Sequence, residues 1–81
     1  MTQDEIRSQL NEVFRTVLDD PKVEIYDAMT ADDHEAWDSL SHINLIVETE
    51  KGFGVRIKNA EVARLRNVGD LVALIEKKKA R

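Results

Sequence analysis

Cysteine is absent from the 81 residues, and that absence removes several chemistries at once. Disulfides, thiolate metal centres and a protein thiol nucleophile are all excluded. No apolar run approaches membrane-spanning length, which argues against membrane insertion. The opening Met1-Thr2-Gln3-Asp4-Glu5 is too polar and acidic for a signal peptide, so a cytoplasmic location is the default expectation. One domain over residues 1–81 is the sensible division of so short a chain. A core of this size contributes little net stability, so nearly every apolar residue at helical spacing should be needed for it. Little apolar surface is left over for a large enclosed pocket.

What charge there is lies unevenly. The net charge of -4 divides into thirteen acids against three bases in residues 1–50, and three acids against nine bases in residues 51–81. Such asymmetry suggests a partner-facing surface or a charged tail, although two solvated faces that happen to differ are the commoner cause.

Thr2-Gln3-Asp4-Glu5 has the form of a capping box, with Glu5 three residues beyond the Thr2 cap. Ile6, Leu10, Val13, Phe14, Val17 and Leu18 follow at spacings of three and four, the mark of a helix buried on one face. Asp19-Asp20-Pro21 stops it, so the first helix covers roughly residues 3–18. Residues 19–37 show no sustained period and form a long connection, with Val23, Ile25, Tyr26, Met29 and Trp37 as its apolar anchors. Asp32-Asp33-His34-Glu35 within it could suggest a metal site. With adjacent ligands and no second cluster, it reads instead as solvated acidic loop, and no metal is expected.

The connection ends at Glu35-Ala36-Trp37-Asp38-Ser39-Leu40-Ser41-His42-Ile43. Asp38 has the type and place of an N-cap, accepting from a free amide of the first turn. Ser39 then becomes the first helical residue, its hydroxyl facing water. Leu40, Ile43 and Ile46 or Val47 mark the expected buried face. An anion attached at Ser39 would sit beside unpaired N–H groups and the positive end of the helix dipole, which suits a phosphodiester. The second helix should run to about Lys51, with Glu48, Glu50 and Lys51 exposed and Gly52 as its left-handed end. Phe53, Val55 and Ile57 alternate as a strand would, but no second strand-like segment could pair with them, and a pinned loop is the better reading. A short helix over residues 59–64 has Asn59 as cap and Val62 and Leu65 inward. Asn67 opens the last helix, with Asp70 three residues on. Its buried stripe is Val68, Leu71, Val72 and Ile75, and Lys77, Lys78, Lys79 and Arg81 complement its negative end.

Asp38-Ser39-Leu40 at the head of a central helix resembles the acyl carrier protein family. Gly52-Phe53-Gly54-Val55-Arg56-Ile57 is similar to that family's link between its second and third helices, and the long first loop matches as well. The likeness covers essentially the whole chain. It implies an all-α fold, a small four-helix bundle of three longer helices and one short one. It also implies that a phosphopantetheinyl transferase moves 4′-phosphopantetheine from coenzyme A to Ser39, with Asp38 and Leu40 as motif neighbours. A protein of this kind catalyses nothing. It is expected to be a monomer that presents thioesters to acyl-loading and acyl-transferring enzymes and shields part of the acyl chain among its helices.

Family partners usually meet an acidic second helix. Here Asp38, Glu48 and Glu50 are present, but Ser41, His42 and Asn44 stand where acids often lie, and Lys51, Arg56, Arg64 and Arg66 add positive charge. Because electrostatic matching governs encounter and partner choice, a specialised lipid or polyketide-type pathway is at least as favoured as housekeeping fatty acid synthesis. Trp37, Ser41, His42, Glu48 and Arg56 are the candidate partner contacts. Trp37 replaces a commonly small residue, and its favoured role is to anchor the loop. No Gly-Gly pair precedes the serine, which disfavours a peptidyl or aminoacyl cargo.

Two other readings stand beside this one. Catalysis by Ser39 with His42 as base lacks an oxyanion signature and a glycine elbow, so His42 reads as exposed partner-facing surface and His34 as loop surface. An unmodified helical interaction module would use the charge division and leave Ser39 as a helix starter. Binding of nucleic acid is disfavoured by the overall acidic charge.

Overall fold

Thr2 and Glu5 close a reciprocal box at the start of α1 (Gln3–Val17): the Glu5 amide donates to Thr2 Oγ1 at 3.1 Å and the Thr2 amide to Glu5 Oε1 at 2.8 Å. The computed structural model describes residues 2–79, so the charge expected of Arg81 lies outside the described residues. Ile6, Leu10, Phe14 and Leu18 are buried and Val13 and Val17 partly so, as the spacing predicts. Asp19, at φ 52°, turns the chain out of α1.

The remaining elements are one 3-10 turn (Ala31–Asp33), α2 (Ser39–Phe53), the short α3 (Asn59–Val62) and α4 (Val68–Lys79). The described residues contain no strand. α1 packs against both α2 and α4, and the core lies between them. α4 buries Val68, Leu71, Val72 and Ile75, the expected stripe.

α2 departs from expectation in two ways. Its buried residues are Leu45, Ile46, Thr49 and Phe53, whereas Leu40 and Ile43 are 70 % and 60 % exposed and Val47 is also outside. Apolar residues occur all round this helix, so their period does not single out the face that α1 covers. The helix also runs past Lys51 and Gly52. Gly54, not Gly52, takes the left-handed conformation at φ 66° and donates to the Glu50 carbonyl. Two more helical residues carry the Phe53 ring into the core, where it is 3 % exposed, and that burial decides the end point.

Several caps differ in detail. Lys58, not Asn59, holds the N-cap position of α3, where the Glu61 carboxylate accepts its amide at 2.9 Å, and the helix ends at Val62 rather than near Arg64. Asn67 Oδ1 accepts the Asp70 amide at 2.8 Å, but Asp70 reaches back to the amide of Arg66. Glu50, expected as free surface, accepts the Ile57 amide at 2.8 Å and pins the link to α3. At the chain's basic end, Lys79 Nζ donates to the Phe53 carbonyl at 3.0 Å and Lys78 pairs with Glu61 at 2.9 Å. Two of the cations expected to serve α4 thus reach the end of α2 and the first turn of α3.

The long connection is tied down mostly by polar bonds. Arg7 holds Asp27 through two bonds of 2.9 and 2.8 Å, Asn11 Oδ1 accepts the Ile25 amide, and Arg15 Nε donates to the Val23 carbonyl. Val68 and Gly69 donate their amides to the carbonyls of Met29 and Asp27 at 2.9 and 2.8 Å. Val23, Met29 and Trp37 are buried anchors and Ile25 is partly buried, but Tyr26 is 51 % exposed. A tyrosine at a turn between Arg7-bound Asp27 and the partly buried Ile25 points outward because its backbone is already fixed.

Candidate functional site

The site grows from the first turn of α2. Asp38 is extended, at φ -116° and ψ -170°, and its Oδ1 accepts the Ser41 amide at 2.9 Å. Ser41 Oγ accepts the Asp38 amide at 2.8 Å and donates to the Ala36 carbonyl at 2.7 Å. The bond from the Ser41 amide, with help from Leu40, holds the Asp38 carboxyl below the usual carboxylate range. Ser41 was expected to face partners. Its hydroxyl is instead committed to the cap, a role signalled by its place three residues after Asp38.

Ser39 is left outside this lock. It is exposed, and among the described residues its hydroxyl makes no hydrogen bond. His42 lies one turn on but does not bond to it. The imidazole is half-buried, and its Nδ1 accepts the indole N–H of Trp37 at 3.2 Å, so the expectation of an exposed His42 is corrected. The two ring planes lie 17° apart, which suits an in-plane N–H···N bond. This assigns the neutral ring its proton at Nε2. Trp37 also meets Phe14 edge to face, with centroids 5.1 Å apart at 85°, and is 8 % exposed. Its anchoring role is therefore real, and it takes a polar partner that sequence spacing did not reveal.

Ala31, Trp37, Asp38, Ser39 and His42 line one open depression. Leu40 stands exposed beside it, and Glu48 lies further along the same helix, 3.9 Å from Lys51. Arg56 is exposed on the link after α2, not gathered with the residues around Ser39. His34 is not mere loop surface: its Nε2 lies 2.9 Å from Asp20 Oδ2 and its Nδ1 accepts the Ala36 amide at 3.1 Å. That contact with His34, and the Lys22 amide, hold the Asp20 carboxyl below its ordinary range. No group of three or more metal-ligating side chains converges among the described residues.

The family described as "Phosphopantetheine attachment site" matches residues 8–75, a span that contains the turn around Ser39. The chain is 38 % identical over 80 residues to an acyl carrier protein of Rhodococcus erythropolis, covering 98 % of this chain and 87 % of that one. It is 38 % identical over 76 residues to the meromycolate extension acyl carrier protein of Mycolicibacterium smegmatis, covering 94 % and 77 % of the two. The solution NMR structure of holo acyl carrier protein from Geobacter metallireducens superposes with a TM-score of 0.86 at 42 % identity, over 99 % of this chain and 87 % of that one. A helical bundle of this form, matched over nearly its whole length, identifies a carrier of acyl groups on covalent 4′-phosphopantetheine and not a catalyst: the chain belongs to the acyl carrier protein family.

Proposed function

We propose that Ser39 is the residue that bears the 4′-phosphopantetheine arm. The observation that carries this reading is the division of labour in the first turn of α2. Asp38 and Ser41 bond each other and cap the helix, so the exposed Ser39 hydroxyl has no structural duty and is open to a transferase. A phosphodiester formed on it would lie beside the free amides of a 15-residue helix, where a negative charge is favoured. Asp38, kept ionised by its cap bonds, and exposed Leu40 flank the attachment point.

The phosphopantetheinyl transferase and the acyl-loading and acyl-transferring enzymes dock on the outer face of α2. Leu40, Ile43 and Val47 expose an apolar stripe there that continues directly from Ser39, with Glu48 at its side. A partner reaching the arm must cover this stripe. Its apolar character and few acids favour a specialised lipid or polyketide-type pathway over partners that select by charge alone. Ser41 and His42, turned inward by their bonds, support this face from behind. The cytoplasm, where coenzyme A is at hand, is the expected location.

The test is intact mass before and after incubation with coenzyme A, magnesium and a broad-specificity phosphopantetheinyl transferase, with Ser39→Ala alongside. Gain of one arm by the wild type alone is the expected result, and an arm already present on purified wild type but missing from Ser39→Ala gives the same answer. Equal gain by both proteins would move the attachment point elsewhere. No arm on either folded protein would favour an unmodified interaction module.

A further inference from the structure

We propose that His34 is a positioning residue for transfer of the arm: its imidazole ties Ala36, and through Ala36 the turn that carries Ser39, to the end of α1. The inference rests on Ser39 as the attachment point and concerns how that serine is held for the transferase.

The Ser39 hydroxyl makes no hydrogen bond among the described residues, so its place is set by the backbone around it. Asp38 and Ser41 close that turn on itself. A chain of three bonds then fastens it to the rest of the fold. Ser41 Oγ donates to the Ala36 carbonyl at 2.7 Å, the Ala36 amide donates to His34 Nδ1 at 3.1 Å, and His34 Nε2 donates to Asp20 Oδ2 at 2.9 Å. Ala36 is thus held at both of its polar backbone atoms. Asp20 is fixed in turn: its amide donates to the Arg15 carbonyl of α1 at 3.0 Å, and its Oδ1 accepts the Lys22 amide at 3.0 Å.

The chemistry of the ring gives this link its direction. A neutral imidazole has one donor and one acceptor, and the contact with Asp20 keeps the proton on Nε2. Nδ1 is left with a lone pair for the Ala36 amide. His34 is extended, at φ -148° and ψ 122°, and it bonds the amide two residues on, as an asparagine side chain does when it closes a turn. The Trp37 amide closes the same turn on the His34 carbonyl at 3.0 Å. With Ala36 freed, the residues leading to Asp38 and Ser39 can shift. A nucleophile misplaced by about 1 Å can cost up to about a hundredfold in rate.

The experiment measures kcat and KM of a broad-specificity phosphopantetheinyl transferase for the wild type, His34→Gln and His34→Asn, with coenzyme A and magnesium. It is run at a temperature where circular dichroism shows all three folded. Gln can carry its amide nitrogen to Asp20 as Nε2 does, but offers no acceptor at the place of Nδ1. Asn puts its amide oxygen at the place of Nδ1 and accepts the Ala36 amide, but does not reach Asp20. His34→Gln should lower kcat by about tenfold or more, with KM little changed because the outer face of α2 is intact. His34→Asn should recover most of that loss. Asp20→Ala, which frees the tautomer of the ring, should slow transfer in the wild-type background and add nothing in His34→Asn.

Transfer to folded His34→Gln at the wild-type rate would overturn the inference, as would His34→Asn being as slow as His34→Gln. If His34→Gln does not fold, Asp20→Ala decides: an equal effect in both backgrounds would overturn the inference as well. These failures leave the attachment at Ser39 intact. An arm that loads on Ser39→Ala as fast as on the wild type would overturn both readings together.

Discussion

Asp38 and Ser41 each accept the other's backbone amide, at 2.9 and 2.8 Å, and neither bond involves the serine that stands between them. The capping of this turn and the proposed attachment at Ser39 are therefore separable by mutation. Ser41→Ala removes the bond to Asp38 and the one to the Ala36 carbonyl, and should cost about 1 kcal/mol in denaturant unfolding. Ser39→Ala should change stability by less than about 0.5 kcal/mol, as an exposed site without bonds does. A larger loss at Ser39 than at Ser41 would reverse their roles. Asp38→Ala should lower the melting temperature and slow transfer of the arm. An unchanged transfer rate would remove Asp38 from the site.

Thr49 presents the opposite case, a polar atom with nothing to do. It is fully buried on α2, and its hydroxyl has no hydrogen-bond partner among the described residues. Thr49→Val replaces the hydroxyl by a methyl and should stabilise the fold by about 1 kcal/mol. A drop in the unfolding midpoint would show that the hydroxyl finds a partner in solution.

The acid limb of stability follows from the loop and cap carboxylates. Arg7 holds Asp27 below its usual range, His34 does so for Asp20, and backbone amides do so for Asp38, Asp70, Glu61 and Glu5. A carboxyl whose folded pKa is depressed contributes stability above its unfolded pKa and loses it as pH falls through the folded value. Melting temperature should therefore hold from neutral pH down to about 5 and fall below about 4, where carboxylates titrate. Arg7→Met, which frees Asp27, should make that fall shallower. An equally steep fall in Arg7→Met would take the Arg7–Asp27 pair out of the acid response.

Gly69 is where the loop comes closest to α4. A Cβ there would lie 3.1 Å from both the Cβ and the carbonyl oxygen of Asp27, while the Gly69 amide donates to that same carbonyl. Alanine is the better helix former, yet in this place backbone has to move. Gly69→Ala should lose about 1 kcal/mol net and speed hydrogen exchange of the Val68 and Gly69 amides. Slower exchange at those amides would mean that the loop adapts at no cost.

α1 was legible in the sequence because its box and its one-sided apolar stripe agree with each other. α2 was legible as a helix but not in its orientation, since Leu40, Ile43, Leu45, Ile46 and Val47 encircle it and only packing against α1 chooses among them. The stop at Gly54 depended on burying Phe53, which no local glycine signal expresses. Ser39 and its cap could be read from spacing. The bond from Trp37 to His42 could not, because it crosses the bend between an irregular loop and a helix. The same holds for Asn11, Arg7 and Arg15, whose loop partners lie 14, 20 and 8 residues away and follow no period.

The position of Trp37 has a practical consequence. It is the sole tryptophan of the chain, is nearly buried, and shares a depression with Ser39. Its emission should respond to changes in that depression. On the proposed attachment at Ser39, arrival of the arm and discharge of a thioester could then be timed in a stopped-flow fluorimeter without attaching any dye.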